Sequence, residues 1–426
     1  MPGDGFLGSI RDRFHAISSK RFWKSLGVLL AFVGPGIITS NVDNDAGGIT
    51  TYSLAGAHYG LSLLWLLIPI TVALVIIQEM GARMGVVSGK GLSDLIRERF
   101  GARITFYLMI VLFLTNLGNT VAEFAGLAAS MEIFGLSKYL SVTFGAAFVW
   151  WLVVKGSYKS VEKVFLTACV FYFSYIISGF TANPDWGEIG RATVTPSLRF
   201  DAGYLTMAVG IVGTTIAPWM QFYLQSSVVD KGLQVEDYPY TRLDVVVGSV
   251  MVNVVAFFII MLCAITLYQA GIRVETAKDA ALALKPMAGT YCSGLFAFGL
   301  LNASLFAASI LPLSTAYTIC EAFGWESSLN RKFLEAPQFY GLYSIMIILG
   351  AGIILLPNVP LIPIMYYTQV VNGLLLPVIL IFILLLVNDR KIMGEHTNGT
   401  VMNLLSWLTV AVLIVLSMAT VLAAVL

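Results

Sequence analysis

Eleven apolar runs of roughly membrane-crossing length constrain this chain more than any other feature. They fall at about 26–57, 61–82, 104–134, 139–154, 161–182, 203–229, 244–270, 289–322, 338–357, 361–387 and 402–425. Lipid cannot satisfy an open strand edge, so such runs fold as helices and the chain reads as an all-α polytopic membrane protein. Charged residues make up 12% of 426 positions against 58% hydrophobic, far from the balance of a soluble domain. The third and eighth runs exceed one bilayer thickness and are expected to tilt or project. Residues 1–25, with Arg11, Arg13, Lys20, Arg21 and Lys24, lack a small-residue cleavage site and read as a retained cytoplasmic segment.

With the N-terminus in the cytoplasm, every Lys and Arg falls inside except Lys138, Arg191, Arg199, Arg273, Lys278 and Lys285. That asymmetry predicts a multi-pass cell-membrane protein with a cytoplasmic N-terminus and an extracellular C-terminus. The formal net charge of +1 and the lack of a basic block with interleaved aromatics give no sign of a nucleic-acid partner. No obligate protein partner is implied; the lipid bilayer is. Cys169, Cys263, Cys292 and Cys320 stand singly in or beside apolar runs and read as small buried side chains. His15, His58 and His396 lie in or near loops, which leaves no intramembrane histidine relay. Catalytic and nucleotide-binding signatures are missing, so the chain is not read as an enzyme and no cofactor is expected.

Two runs are interrupted. The first holds Gly34-Pro35-Gly36-Ile37-Ile38-Thr39-Ser40-Asn41-Val42-Asp43-Asn44-Asp45-Ala46-Gly47-Gly48, with carboxylates, amides and a glycine pair at membrane depth. A charge there costs about 2.5–3.5 kcal/mol on insertion scales and marks an ion or substrate path. The second holds Gly210-Ile211-Val212-Gly213-Thr214-Thr215-Ile216-Ala217-Pro218-Trp219. Five runs separate the two breaks, so the second enters from the opposite side. Paired interruptions of this kind point to an inverted repeat with its site at the midplane. The predicted organisation is runs one to five (26–182), runs six to ten (203–387) and an additional span (402–426), giving eleven helices in a 5+5 repeat plus one.

Asp45 is the leading cation-site candidate, placed just before a predicted break at Gly47-Gly48 where carbonyls can turn toward an ion. The alternative is an N-cap for a helix resuming at Ile49. Asp43 and Asn44 are weaker pathway candidates, because helical spacing would turn Asp43 about 200° from Asp45. Pro218 frees a carbonyl one turn back, which points to the backbone around Thr214; for this span alone a packing kink is the default reading, and its pairing with the first break reverses that weighting. Gln369 reads either as an oxygen ligand or as an interhelical hydrogen bond. Glu123 is a pathway carboxylate or a partner to a nearby donor, and Glu79 is expected to pair with Arg83 at helical spacing. The Asn398-Gly399-Thr400 glycosylation pattern is discounted because it falls on the cytoplasmic side.

Ordered matches run along spans one to ten. They are Gly34-Pro35-Gly36, Ala55-Gly56-Ala57-His58-Tyr59-Gly60, Ala82 to Lys90, Ala122-Glu123-Phe124 with Gly126, Pro218 with Tyr223-Leu224 and Ser226-Ser227, and Gln369-Val370-Val371. On these residues the chain resembles the natural-resistance-associated macrophage protein family of divalent metal transporters, and more closely its magnesium-transporting branch. The resemblance implies a leucine-transporter-type fold with broken helices 1 and 6, working by alternating access. It implies a metal site at Asp45, Gly48, Thr214, Ala217 and Gln369. Where manganese and iron transporters carry Asp-Pro-Gly-Asn and Met-Pro-His, this chain has Asp45-Ala46-Gly47-Gly48 and Ala217-Pro218-Trp219, losing an amide and a thioether. Loss of the soft donor and a larger cavity predict magnesium, with manganese also carried, as a partly hydrated transported substrate. The family's proton-path positions fall on Thr120, Trp219 and Gln225, none of which titrates near neutrality, so transport without coupled protons is expected. Rival readings are a proton-coupled manganese or iron transporter, an amino-acid symporter of the same fold, an ion channel, or a non-transporting metal sensor.

Overall fold

Every backbone amide in lipid needs a partner within its own segment or a closed sheet, and the chain meets that demand with helices alone; no strand occurs among the described residues. The computed structural model describes residues 39–40, 42–155, 172–329 and 331–425. Its principal helices are α1 (Ala46–Tyr59), α2 (Leu67–Ser88), α3 (Leu92–Phe100), α4 (Ala102–Ile133), α5 (Lys138–Lys155), α6 (Phe173–Thr181) and α7 (Trp186–Val194). They continue with α8 (Ala202–Thr215), α9 (Pro218–Asp230), α10 (Tyr238–Cys263), α11 (Cys292–Phe323), α12 (Pro337–Ile354), α13 (Leu361–Val387) and α14 (Thr400–Val425). Eight helical stretches among the described residues are long and apolar enough to cross a membrane. The N-terminal segment 1–25, the Gly34-Pro35-Gly36 opening, Cys169 and the first half of the fifth run lie outside the described residues.

Both expected breaks are present, and each has a local cause. Thr39, Ser40 and Val42 are helical, residues 43–45 turn, and α1 starts at Ala46. The break therefore precedes the glycine pair instead of falling on it, and helix resumes three residues before Ile49. Asp45 adopts extended backbone and accepts the Gly48 amide at 2.6 Å, a capping bond that draws both glycines into the first helical turn. The 200° argument for Asp43 and Asp45 fails for the same reason, since neither is inside a helix. At the second break Ala217 takes extended backbone, as the residue before a proline is pushed to do, and Pro218 opens α9 at its first position.

Small residues set how closely the helices cross. A Cβ on Gly213 in α8 would collide with the Gln369 carbonyl and the Gly373 backbone of α13. One on Gly126 in α4 would meet Ala46 of α1 and stand 2.5 Å from the Ser304 hydroxyl of α11. These contacts bring α4, α8, α11 and α13 close around the start of α1, where the first break lies.

A buried polar web holds the far ends of the helices. Arg83 in α2 makes a two-pronged pair with Glu79, at 2.9 and 3.2 Å, as its spacing predicted. It also bonds the His396 carbonyl at 2.5 Å and the Asn398 side chain. Asn398 is thereby committed to a structural contact. Cys263, Cys292 and Cys320 are buried thiols, as expected.

Candidate metal-ion site

The site follows from the Asp45 cap. Because Asp45 Oδ1 turns back to the Gly48 amide, it sits beside the space that a side chain at position 48 would take. A Cβ on Gly48 would stand 2.5 Å from the Asp43 carbonyl oxygen, 3.2 Å from Thr214 Oγ1 and 3.4 Å from Asp45 Oδ1. Three oxygens from both broken helices thus converge where Gly48 offers only a hydrogen. The Thr214 hydroxyl and Asp43 Oδ2 are buried with no hydrogen-bond partner. Buried polar groups left in this way are rare and call for an explanation such as an ion or water.

Glu123 enters from α4. Its Oε2 accepts the Ala46 amide at 3.3 Å, and its carboxyl faces that of Asp45. Two carboxyls brought together away from water need a cation or a proton between them. Gln369 comes from α13 and lies over Gly47, where a Cβ would stand 2.7 Å from its Cδ. Its oxygen, however, is turned to Asn372 Nδ2 at 2.9 Å, so it shows the site nitrogen. That bond runs within α13, so in this arrangement Gln369 makes neither the interhelical hydrogen bond nor the oxygen contact that its sequence position suggested.

The remaining candidates are placed differently. Ala217 is buried and contributes no polar side-chain atom, while its carbonyl accepts the Met220 amide at 3.2 Å. The Asn44 carbonyl accepts the Tyr172 hydroxyl at 2.8 Å, and its side-chain oxygen is buried without a partner. Thr120 bonds back to the Asn116 carbonyl at 2.9 Å and packs against Gly350 of α12. Trp219 packs on Tyr223, and Gln225 donates to the Lys90 carbonyl at 2.9 Å. These three belong to the helix packing and do not join the oxygen cluster.

Sequence reasoning missed two amides and a thioether. Asn119 in α4 and Asn372 in α13 form a reciprocal pair at 3.1 and 2.9 Å. Met365 lies one turn from Gln369, and its sulfur accepts the Thr50 hydroxyl at 3.5 Å, displaced along α1 from Asp45. The spacing Met365, Gln369, Asn372 on one helix face was the available signal.

A cavity of about 580 Å³ opens between the end of α1 and the starts of α8 and α13, lined by His58, Tyr59, Gly203, Thr206, Glu275 and Tyr366 among others. Thr214 lies about two helical turns below Thr206 along α8. On the opposite side Trp219 and Gln225 are buried and the Arg83 web closes the helix ends.

A family model described as natural resistance-associated macrophage protein-like matches residues 36–423. The chain belongs to the Nramp family. This is a family of transporters, not enzymes, and the metal its members carry is substrate, not cofactor. The Nramp chain is 26% identical over 405 residues to the divalent metal cation transporter MntH of Deinococcus radiodurans, covering 91% of itself and 89% of that relative. Its fold matches the Eremococcus coleocola manganese transporter, solved with an aromatic bis-isothiourea compound, at a TM-score of 0.76 and 19% identity over 94% of this chain and 88% of that one. It also matches MhsT, solved with L-phenylalanine, at 0.54 and 15% identity over 96% and 99%. The leucine-transporter-type architecture and a multi-pass membrane protein follow from these likenesses and the apolar helices. An exact count of eleven spans does not, because parts of two predicted spans lie outside the described residues.

Proposed function

We propose that this Nramp chain imports divalent metal ions, magnesium and also manganese, across the cell membrane by alternating access. The observation that carries the reading is the convergence of the Asp43 carbonyl, Thr214 hydroxyl and Asp45 carboxylate around the missing side chain of Gly48. An all-oxygen set suits hard cations, and magnesium gives up its water reluctantly. With no ligating side chain at Gly48 or Ala217, the ion keeps part of its hydration shell, and waters supply the contacts that amide and thioether ligands would make. The cavity on one side and the packed helix ends on the other fit a state open toward the outside, with the N-terminus cytoplasmic, the C-terminus extracellular and the two five-span repeats rocking about the site.

Coupling to protons is not needed for uptake. An inside-negative potential contributes about 2.3 kcal/mol per charge per 100 mV, and a divalent ion carries two charges. Thr120, Trp219 and Gln225 leave the helix-packing positions without a titrating group. Glu123 beside Asp45 remains a titratable group at the site, and the pH recording below tests whether it carries protons with the metal.

The test is uptake into proteoliposomes with internal pH recorded. Saturable manganese uptake, competed by magnesium and without metal-dependent acidification, is the expected result. Acidification that scales with metal entry would overturn the uncoupled reading. Failure of magnesium to compete, with strong iron or cadmium uptake, would favour a proton-coupled manganese or iron transporter instead.

A further inference from the structure

The chain Asn119–Asn372–Gln369 is fully buried and joins α4 to the site through α13. Both Asn372 N–H donors are used, to Asn119 Oδ1 and to Gln369 Oε1, each at 2.9 Å, and its oxygen accepts Asn119 Nδ2 at 3.1 Å. A carboxamide has an acceptor end and a donor end of nearly equal shape. Turning all three amides over therefore preserves every bond in the chain. The Asn119–Asn372 pair remains reciprocal, Asn372 offers oxygen to Gln369, and Gln369 answers with nitrogen. What changes is the atom that Gln369 shows to Gly47 and the site: nitrogen in the arrangement observed, oxygen in the reversed one.

We propose that Asn372 is a positioning residue that holds Gln369 in one of two amide registers, nitrogen toward the empty site and oxygen toward a bound hard divalent cation. The inference rests on the metal-transport reading above. An N–H dipole opposes a cation and an amide oxygen attracts it, so an ion biases the chain toward the reversed register by its differential interaction with the two. Asn119 anchors the chain on α4, whose Glu123 reaches the same site from one turn further along. Thr368 gives Gln369 Nε2 only a long contact at 3.4 Å, so Asn372 is the partner that sets its orientation.

A double-mutant cycle tests this. Initial rates of manganese and magnesium uptake are measured in proteoliposomes for wild type, Asn372→Leu, Gln369→Ala and the double variant, with melting temperature recorded for each. Asn372→Leu is expected to raise KM five-fold or more while changing Vmax less than two-fold, and to leave KM unchanged in the Gln369→Ala background. An unchanged KM in Asn372→Leu, or the same shift in both backgrounds, overturns the proposal even where wild-type transport is normal. Absence of saturable uptake by wild type overturns the transport reading and this inference together. If the leucine variant does not insert, Asn372→Ser, which keeps a donor and an acceptor but cannot span to both partners, is expected to give the same KM-selective loss.

Discussion

Thr214 Oγ1 lies 3.2 Å from the point where a Cβ on Gly48 would stand, so one missing methyl group joins the two broken helices through space. The same point is 2.5 Å from the Asp43 carbonyl, a backbone atom that cannot swing aside. Gly48→Ala is therefore expected to reduce magnesium and manganese uptake at least ten-fold, equivalent to about 1.4 kcal/mol, with Asp45 still in place. Initial-rate uptake at matched reconstitution measures it.

Thr214→Val separates a ligand from a structural hydroxyl. The hydroxyl is buried without a protein partner, so replacing it by a methyl removes a desolvated polar group and is expected to leave the melting temperature unchanged or slightly raised. Loss of a cation ligand acts on affinity, and KM for manganese is expected to rise several-fold. A fall in stability with an unchanged KM would assign Thr214 to packing.

The Glu79–Arg83 pair predicts a stability effect remote from the site. Both side chains are under one-tenth exposed, so removing one leaves the other buried and charged. Arg83→Met is expected to cost about 3–5 kcal/mol, read as a lowered melting temperature in detergent, while Arg83→Met with Glu79→Leu recovers much of the loss. The loop carrying His396 and Asn398 should become more open to proteolysis in the single variant.

What the sequence made legible was local. Pro218 dictates extended backbone at Ala217, apolar runs dictate helices, and four-residue spacing brings Glu79 to Arg83. The exact site of the first break was not legible, because glycines tolerate the first turn of a helix and a carboxylate cap at Asp45 moved the start of α1 ahead of Gly47-Gly48. Asp43 reads as a weaker candidate because the atom it turns toward Gly48 is a carbonyl oxygen, which every residue has. The Asn119–Asn372 pair joins residues 253 positions apart, and no local periodicity encodes such a contact. Gln369 was recognised, but the direction of its oxygen depends on that distant pair.

The most direct test is magnesium uptake by wild type and Asp45→Ala in proteoliposomes, with protein insertion matched and an imposed inside-negative potential. Asp45 caps α1 and supplies the carboxylate of the oxygen cluster, so an Asp45→Asn variant, which keeps a capping oxygen but not the charge, is measured beside it. The account predicts saturable uptake by wild type and loss of it in both variants, with Asp45→Asn retaining the wild-type melting temperature. Undiminished magnesium uptake by either variant would contradict it.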